Sequence, residues 1–98
     1  MAVVTEITLV AGGAADHVVV EDQAGTALSP ASVSWGDVTG LTFTADDTGF
    51  AIAAAADLAP GPQTAVATYS GPRAPNPVSG NLTVNVEAAV TALQFDQV

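Results

Sequence analysis

Residues Ser32 to Gly36 read SVSWG, and residues Asn81 to Glu87 read NLTVNVE. In the first, Val33 and Trp35 share one face while Ser32 and Ser34 share the other. In the second, Leu82, Val84 and Val86 oppose Thr83, Asn85 and Glu87. Period-two alternation marks a strand with one face buried. The same pattern extends outward. LTFTAD sets Leu41 and Phe43 against Thr42 and Thr44, and HVVVED points Val18 and Val20 inward. In TAVATY, Val66 and Tyr69 have opposite parity and cannot both face the core; Val66 is assigned to the interior. GFAIAAAADLA, residues 49–59, is ambiguous: Ala favours helix and Asp47 or Thr48 offers a cap. The alternation of Phe50, Ile52 and Ala54 favours a strand.

Turn signals punctuate these runs at short intervals: Gly12-Gly13, Gly25, Ser29-Pro30, Gly36-Asp37, Gly40, Asp46-Asp47, Gly49, Pro60-Gly61-Pro62, Gly71-Pro72 and Gly80-Asn81. Short alternating runs with such punctuation predict an all-β sandwich or barrel, and the same Pro and Gly density breaks most candidate helices. The 98 residues suit one domain. The predicted core is Val18, Val20, Val33, Trp35, Phe43, Val66, Leu82, Val84 and Val86. Residues 1–87 complete a sandwich, and residues 88–98 form a C-terminal extension.

Ten acids, one Arg, no Lys and one His give a formal net charge of −9. Such a chain repels nucleic acid, whose binding rests on cationic contacts to phosphate, and anionic membrane surfaces. A protein partner, a glycan or no partner remains. The plainer reading is that the acidity keeps a β-rich domain soluble. The absence of Cys removes disulfides and thiol chemistry. Glu6 interrupts the apolar start and no cation precedes it, so MAVVTEITLV does not read as a signal peptide. If Met1 is the natural start, release into the cytosol is expected. No run approaches the about 20 apolar residues of a membrane span.

The stretch VEDQAGTALSPASVSWGD, Val20 to Asp37, resembles a bacterial immunoglobulin-like domain of the group-two kind: a strand ending at Asp22, a turn at Gly25, then Ser32, Val33 and Trp35 on the next strand. DDTGFAIA resembles that family's strand-turn-strand step, GPQTAVATYSG its penultimate strand, GNLTVNVE its last and VTEITLV its first. The likeness spans roughly Val4 to Glu87; the first loop AGGAAD and the long GPRAPNPVSG depart from the pattern. The resemblance implies an immunoglobulin-like Greek-key β-sandwich of about seven strands. Relatives of this kind occur in surface adhesins, as spacers in secreted enzymes and in virion proteins of tailed bacteriophages. The leading expectation is a non-enzymatic virion decoration protein, made in the host cytoplasm, that binds capsid or tail subunits. The alternative is a spacer or adhesion module at a bacterial cell surface.

Residues that carry chemistry are sparse. His17 has Asp16 beside it in sequence, but no Gly-x-Ser-x-Gly elbow surrounds any Ser. Asp46-Asp47 fit no calcium loop and read as a turn before Gly49. Asn81-Leu82-Thr83 matches a glycosylation acceptor, taken as chance in a bacterial or phage setting. No Gly-rich stretch is built to cradle phosphate. The reading is of a non-enzyme that needs no cofactor or metal. A glycan-binding module wants exposed aromatics, and with Trp35 in the core the supply is Tyr69 and three Phe.

Two segments are candidates for partner binding. GPRAPNPVSG, residues 71–80, carries Arg73, the single cation, on a frame stiffened by Pro72, Pro75 and Pro77; the competing reading is an inert connection. The closing VTALQFDQV repeats the pattern of the opening VTEITLV, with Leu93 and Phe95 standing where Ile7 and Leu9 stand. It is the first strand of a following domain, an extra strand on its own sheet, or an arm that adds a strand to a neighbour, including a second copy of the chain. Trp35 is read as the lone wedge between sheets about 10 Å apart. Trp35→Ala is expected to cost about 3–5 kcal/mol and leave an unfolded or molten chain; a cooperative melt with native near-UV circular dichroism would contradict that role.

Overall fold

The computed structural model describes residues 4–97. Seven strands follow in order: β1 (Glu6–Val10), β2 (Asp16–Val18), β3 (Val33–Trp35), β4 (Leu41–Ala45), β5 (Phe50–Ala54), β6 (Gly61–Tyr69) and β7 (Val78–Glu87). A short 3-10 turn, Pro30–Ser32, leads into β3. The ambiguous alanine-rich stretch is a strand: Phe50, Ile52 and Ala54 are buried while Ala51 and Ala53 face the other way. Its place between β2 and β4 supplies backbone partners on both sides.

Four strands form one sheet in the order β1-β7-β6-β3, and three form the other in the order β2-β5-β4. β1 lies parallel to β7, setting Ile7 beside Val84 and Leu9 beside Val86; the remaining pairs are antiparallel. The interior draws Leu9, Leu82, Val84 and Val86 from the larger sheet and Leu41, Ile52 and Ala54 from the smaller. The fold is therefore all-β and sandwich-like, with one shared core.

Ile52 and Val84 are the largest side chains with no solvent exposure, and Ala65 is equally enclosed. This corrects the expected core in three ways. Val66 points outward and is 36% exposed, because the interior face of β6 takes Ala65, Ala67 and Tyr69 instead. Ala65 is fully enclosed in the cluster that holds Ile52 and Val84, and Tyr69 ends the strand half-buried. Val20 is only half-buried and lies outside the core cluster. Trp35 stands on β3, an edge strand, and is half-buried rather than enclosed.

Trp35 does not span the gap alone. Its ring stacks on Phe43, with centroids 4.7 Å apart at 10°, and meets Phe50 edge-on at 5.6 Å and 82°. Both geometries suit the aromatic quadrupole. The trio joins β3 of one sheet to β4 and β5 of the other. Val33, Leu82, Val84 and Val86 are buried, while Val18 and Phe43 are half-buried and packed on the cluster.

Residues 88–97 form neither strand nor helix and are exposed throughout. The extension is thus not an added strand of its own sheet. The molecule measures 61 × 27 × 22 Å with a radius of gyration of 15.9 Å, above the about 13 Å of a compact domain of this length. Ile52→Ala should cost about 2–5 kcal/mol, whereas Val66→Ala should stay within about 0.5 kcal/mol; urea denaturation of the two variants checks which face of each strand is interior.

Candidate functional site

Because β1 pairs with β7, β2 is left at the edge of its sheet with a strand partner, β5, on one side only. The two sheets part beside it. The resulting groove has a volume of about 800 Å³, and Val18, Val20, Leu28, Trp35, Tyr69 and Leu82 give it an apolar lining. Two polar atoms on its wall, Trp35 Nε1 and Glu21 Oε2, are buried without a hydrogen-bond partner among the described residues. A buried polar group left unpaired costs about 1–3 kcal/mol.

An ion pair closes one end of the groove. Arg73 Nη2 donates to Asp22 Oδ2, tying the 71–80 loop to the turn after β2. Asp22 Oδ1 also accepts from the backbone N–H groups of Ala24 and Thr26. The Arg73 hydrogen bond, foremost, and the Thr26 amide hold the Asp22 carboxyl below its ordinary range. Asp22 in turn raises the Arg73 guanidinium. Arg73, expected to meet a partner, is thus engaged within the chain. The loop is anchored further by the Arg73 N–H on the Tyr69 hydroxyl at 3.4 Å. Gly71 is required there, since a Cβ would collide with the Tyr69 ring.

The other polar cluster lies where β2 meets the turn between β4 and β5. His17 Nε2 sits 2.8 Å from Asp46 Oδ2 and 3.5 Å from Thr48 Oγ1. Asp46 Oδ1 accepts from the Thr48 and Gly49 backbone N–H groups at 2.8 and 2.9 Å and from the Thr48 hydroxyl at 3.2 Å. A relay needs base and nucleophile on different imidazole nitrogens. Here both neighbours meet the same nitrogen, and the Thr48 hydroxyl proton is already given to Asp46. The cluster works as a staple holding the turn against β2. Gly49 completes it, because a Cβ there would overlap the Val18 carbonyl oxygen. Among the described residues, no three His, Asp or Glu side chains are grouped to hold a metal ion.

The four residues expected to bind a partner do not form one site. Arg73 and Pro75 share the loop that precedes β7, whereas Leu93 and Phe95 lie beyond its far end. Leu93 and Phe95 are 74% and 90% exposed. Sequence reading missed the groove, the Asp22 latch and the His17–Asp46 contact, since each joins residues 29 or more positions apart. The only local signal was Asp22 itself, whose place two residues before Ala24 and four before Thr26 suits a self-capping turn. No family model, no curated protein and no solved structure matches the chain.

The amides of Thr48 and Gly49, helped less by the Thr48 hydroxyl and the nearby His17, hold Asp46 down at about 2 from an ordinary 3.8. A depressed carboxylate stabilises the fold above its unfolded value and loses that contribution as pH falls through the folded one. Wild-type melting temperature should therefore drop between about pH 4 and pH 2, and Asp46→Asn, which keeps the Oδ1 acceptor, should drop less steeply over that window. Parallel thermal melts of the two proteins provide the check.

Proposed function

We propose that this chain is a non-enzymatic structural module that works by docking on other protein subunits, with its C-terminal arm as the docking element. The observation that carries this reading is the presentation of Leu93 and Phe95 to solvent, two residues apart on a segment without other structure. Singly exposed apolar residues are ordinary. A Leu and a Phe alternating with Gln94 and Asp96 form instead the pattern of a strand awaiting a sheet edge.

The strand partition supports an immunoglobulin-like assignment. Strands two, five and four form one sheet, and three, six and seven lie together in the other. That matches the B-E-D and C-F-G grouping of immunoglobulin-type sandwiches, with the first strand moved across to the last. Trp35 occupies the third strand, where such domains carry a Trp, and packs on Phe43 and Phe50 in place of a disulfide.

Within that class, decoration of a tailed-phage shell or tail is the preferred role. Particles of that kind use small accessory subunits that add no chemistry, and an acidic, Thr- and Ser-bearing surface suits an outward face. The alternative is a spacer or adhesion module in a tandem array at a bacterial surface. The likeness of VTALQFDQV to VTEITLV favours it, since the arm then opens a following domain. In a host producing the particles, the full chain should co-sediment with purified heads or tails in fixed stoichiometry, and a chain ending at Glu87 should remain in the supernatant. A full-length chain absent from every particle fraction would exclude the virion role.

A further inference from the structure

We infer that the groove beside β2 is the receptor for the 88–97 arm of a second copy of this chain, which enters as the missing edge strand and sends Leu93 and Phe95 inside. This rests on the arm being a docking element, as proposed above, and names its partner.

Four observations converge on that occupant. Among the described residues β2 has no strand on its outer side, since β1 is spent on β7, and an unpaired edge invites strand addition. The arm carries the matching pattern: Leu93 and Phe95 fall on one face of an extended segment, Gln94 and Asp96 on the other. Docked at β2, the first pair faces Val18, Val20, Leu28 and Trp35, and the second faces water. The about 800 Å³ groove lies in the size range of sites that enclose a bound ligand. Behind its wall, Trp35 Nε1 and Glu21 Oε2 are buried without a hydrogen-bond partner among the described residues, so rearranging these side chains around a docked arm breaks no existing hydrogen bond.

The partner is another molecule rather than the arm's own sandwich. β7 carries the chain from Val78, on the groove wall, to Glu87, about 30 Å away at the usual rise. From there the arm continues outward, giving the 61 Å long axis. Arm and groove are different surfaces, so the contact is heterologous: copies close into rings, of which a reciprocal pair is the smallest, or extend as chains. Because each copy carries −9, association strengthens as salt screens the repulsion.

Four full-length proteins test this by sedimentation velocity over a concentration series. Wild type should self-associate, more tightly in 500 mM than in 20 mM NaCl. An arm variant, Leu93→Asp with Phe95→Asp, and a groove-rim variant, Val78→Glu, should each weaken association at least tenfold while keeping the wild-type circular dichroism. Val78 is 60% exposed, so its replacement spares the core; Leu28→Glu serves as a second groove variant. Mixed, the arm variant and a groove variant should form a one-to-one pair, since one retains the groove and the other the arm. Trp35, the single Trp, should report that pairing through a blue-shifted emission. Wild type that stays monomeric at every concentration and salt would overturn the inference. So would groove variants that associate as wild type does, which would place the arm elsewhere, for example on the cleft lined by residues 36–39 on the β3 side. Loss of particle binding in the arm variant with no self-association in wild type would leave the docking role standing and remove the second copy as its partner.

Discussion

The hydrogen-bonding of the first strand to the last governs most of this structure. Parallel pairing of β1 with β7 buries Leu9 beside Val86 and widens one sheet to four strands. The same choice withholds a fourth strand from the smaller sheet. The rings of Trp35, Phe43 and Phe50 join the sheets from β3 to β4 and β5, and the groove opens beside β2 with Trp35 on its wall. The bare edge of β2, and the groove beside it, follow from that allocation.

The core is economical. Its fully enclosed members are Ile52, Val84 and Ala65, and few large side chains are available to thicken it. Small residues let the sheets approach closely at the centre and force bulk to the periphery, where Trp35, Phe43, Phe50 and Tyr69 fill the wider gaps. Polar contacts then fix the margins. The His17–Asp46 staple holds a turn to β2, and the Arg73–Asp22 latch joins the loops at one end. Both lie at the surface, where an ion pair is worth little in stability, so their effect is to position loops. The one cation of an acidic chain is thereby committed to shaping the groove's end.

The docking role proposed above is mechanical. It draws on an apolar groove beside β2 and on the exposed Leu93 and Phe95 of the arm. In that proposal, strand addition joins the two through main-chain bonds and alternate side-chain pockets.

Strand identity was legible in SVSWG, LTFTA and NLTVNVE because alternation with period two is a local property of one face meeting water. Gly, Pro and Asp-Asp turns were equally legible, each requiring only its own backbone geometry. The parity of β6 was not: Val66 is the stronger hydrophobe, yet Ala65 faces inward, because the register of β6 on β7, which sets Ala65 beside the buried Leu82, is fixed by residues distant in sequence. Arg73 looked free because its partner, Asp22, lies 51 positions away. The sequence alone therefore determined an all-β chain with a Trp-bearing third strand and a spare amphipathic ending. Tertiary structure decided which sheet the first strand joins, and hence where the open groove lies, because strand pairing is a contest among distant edges that no local pattern records.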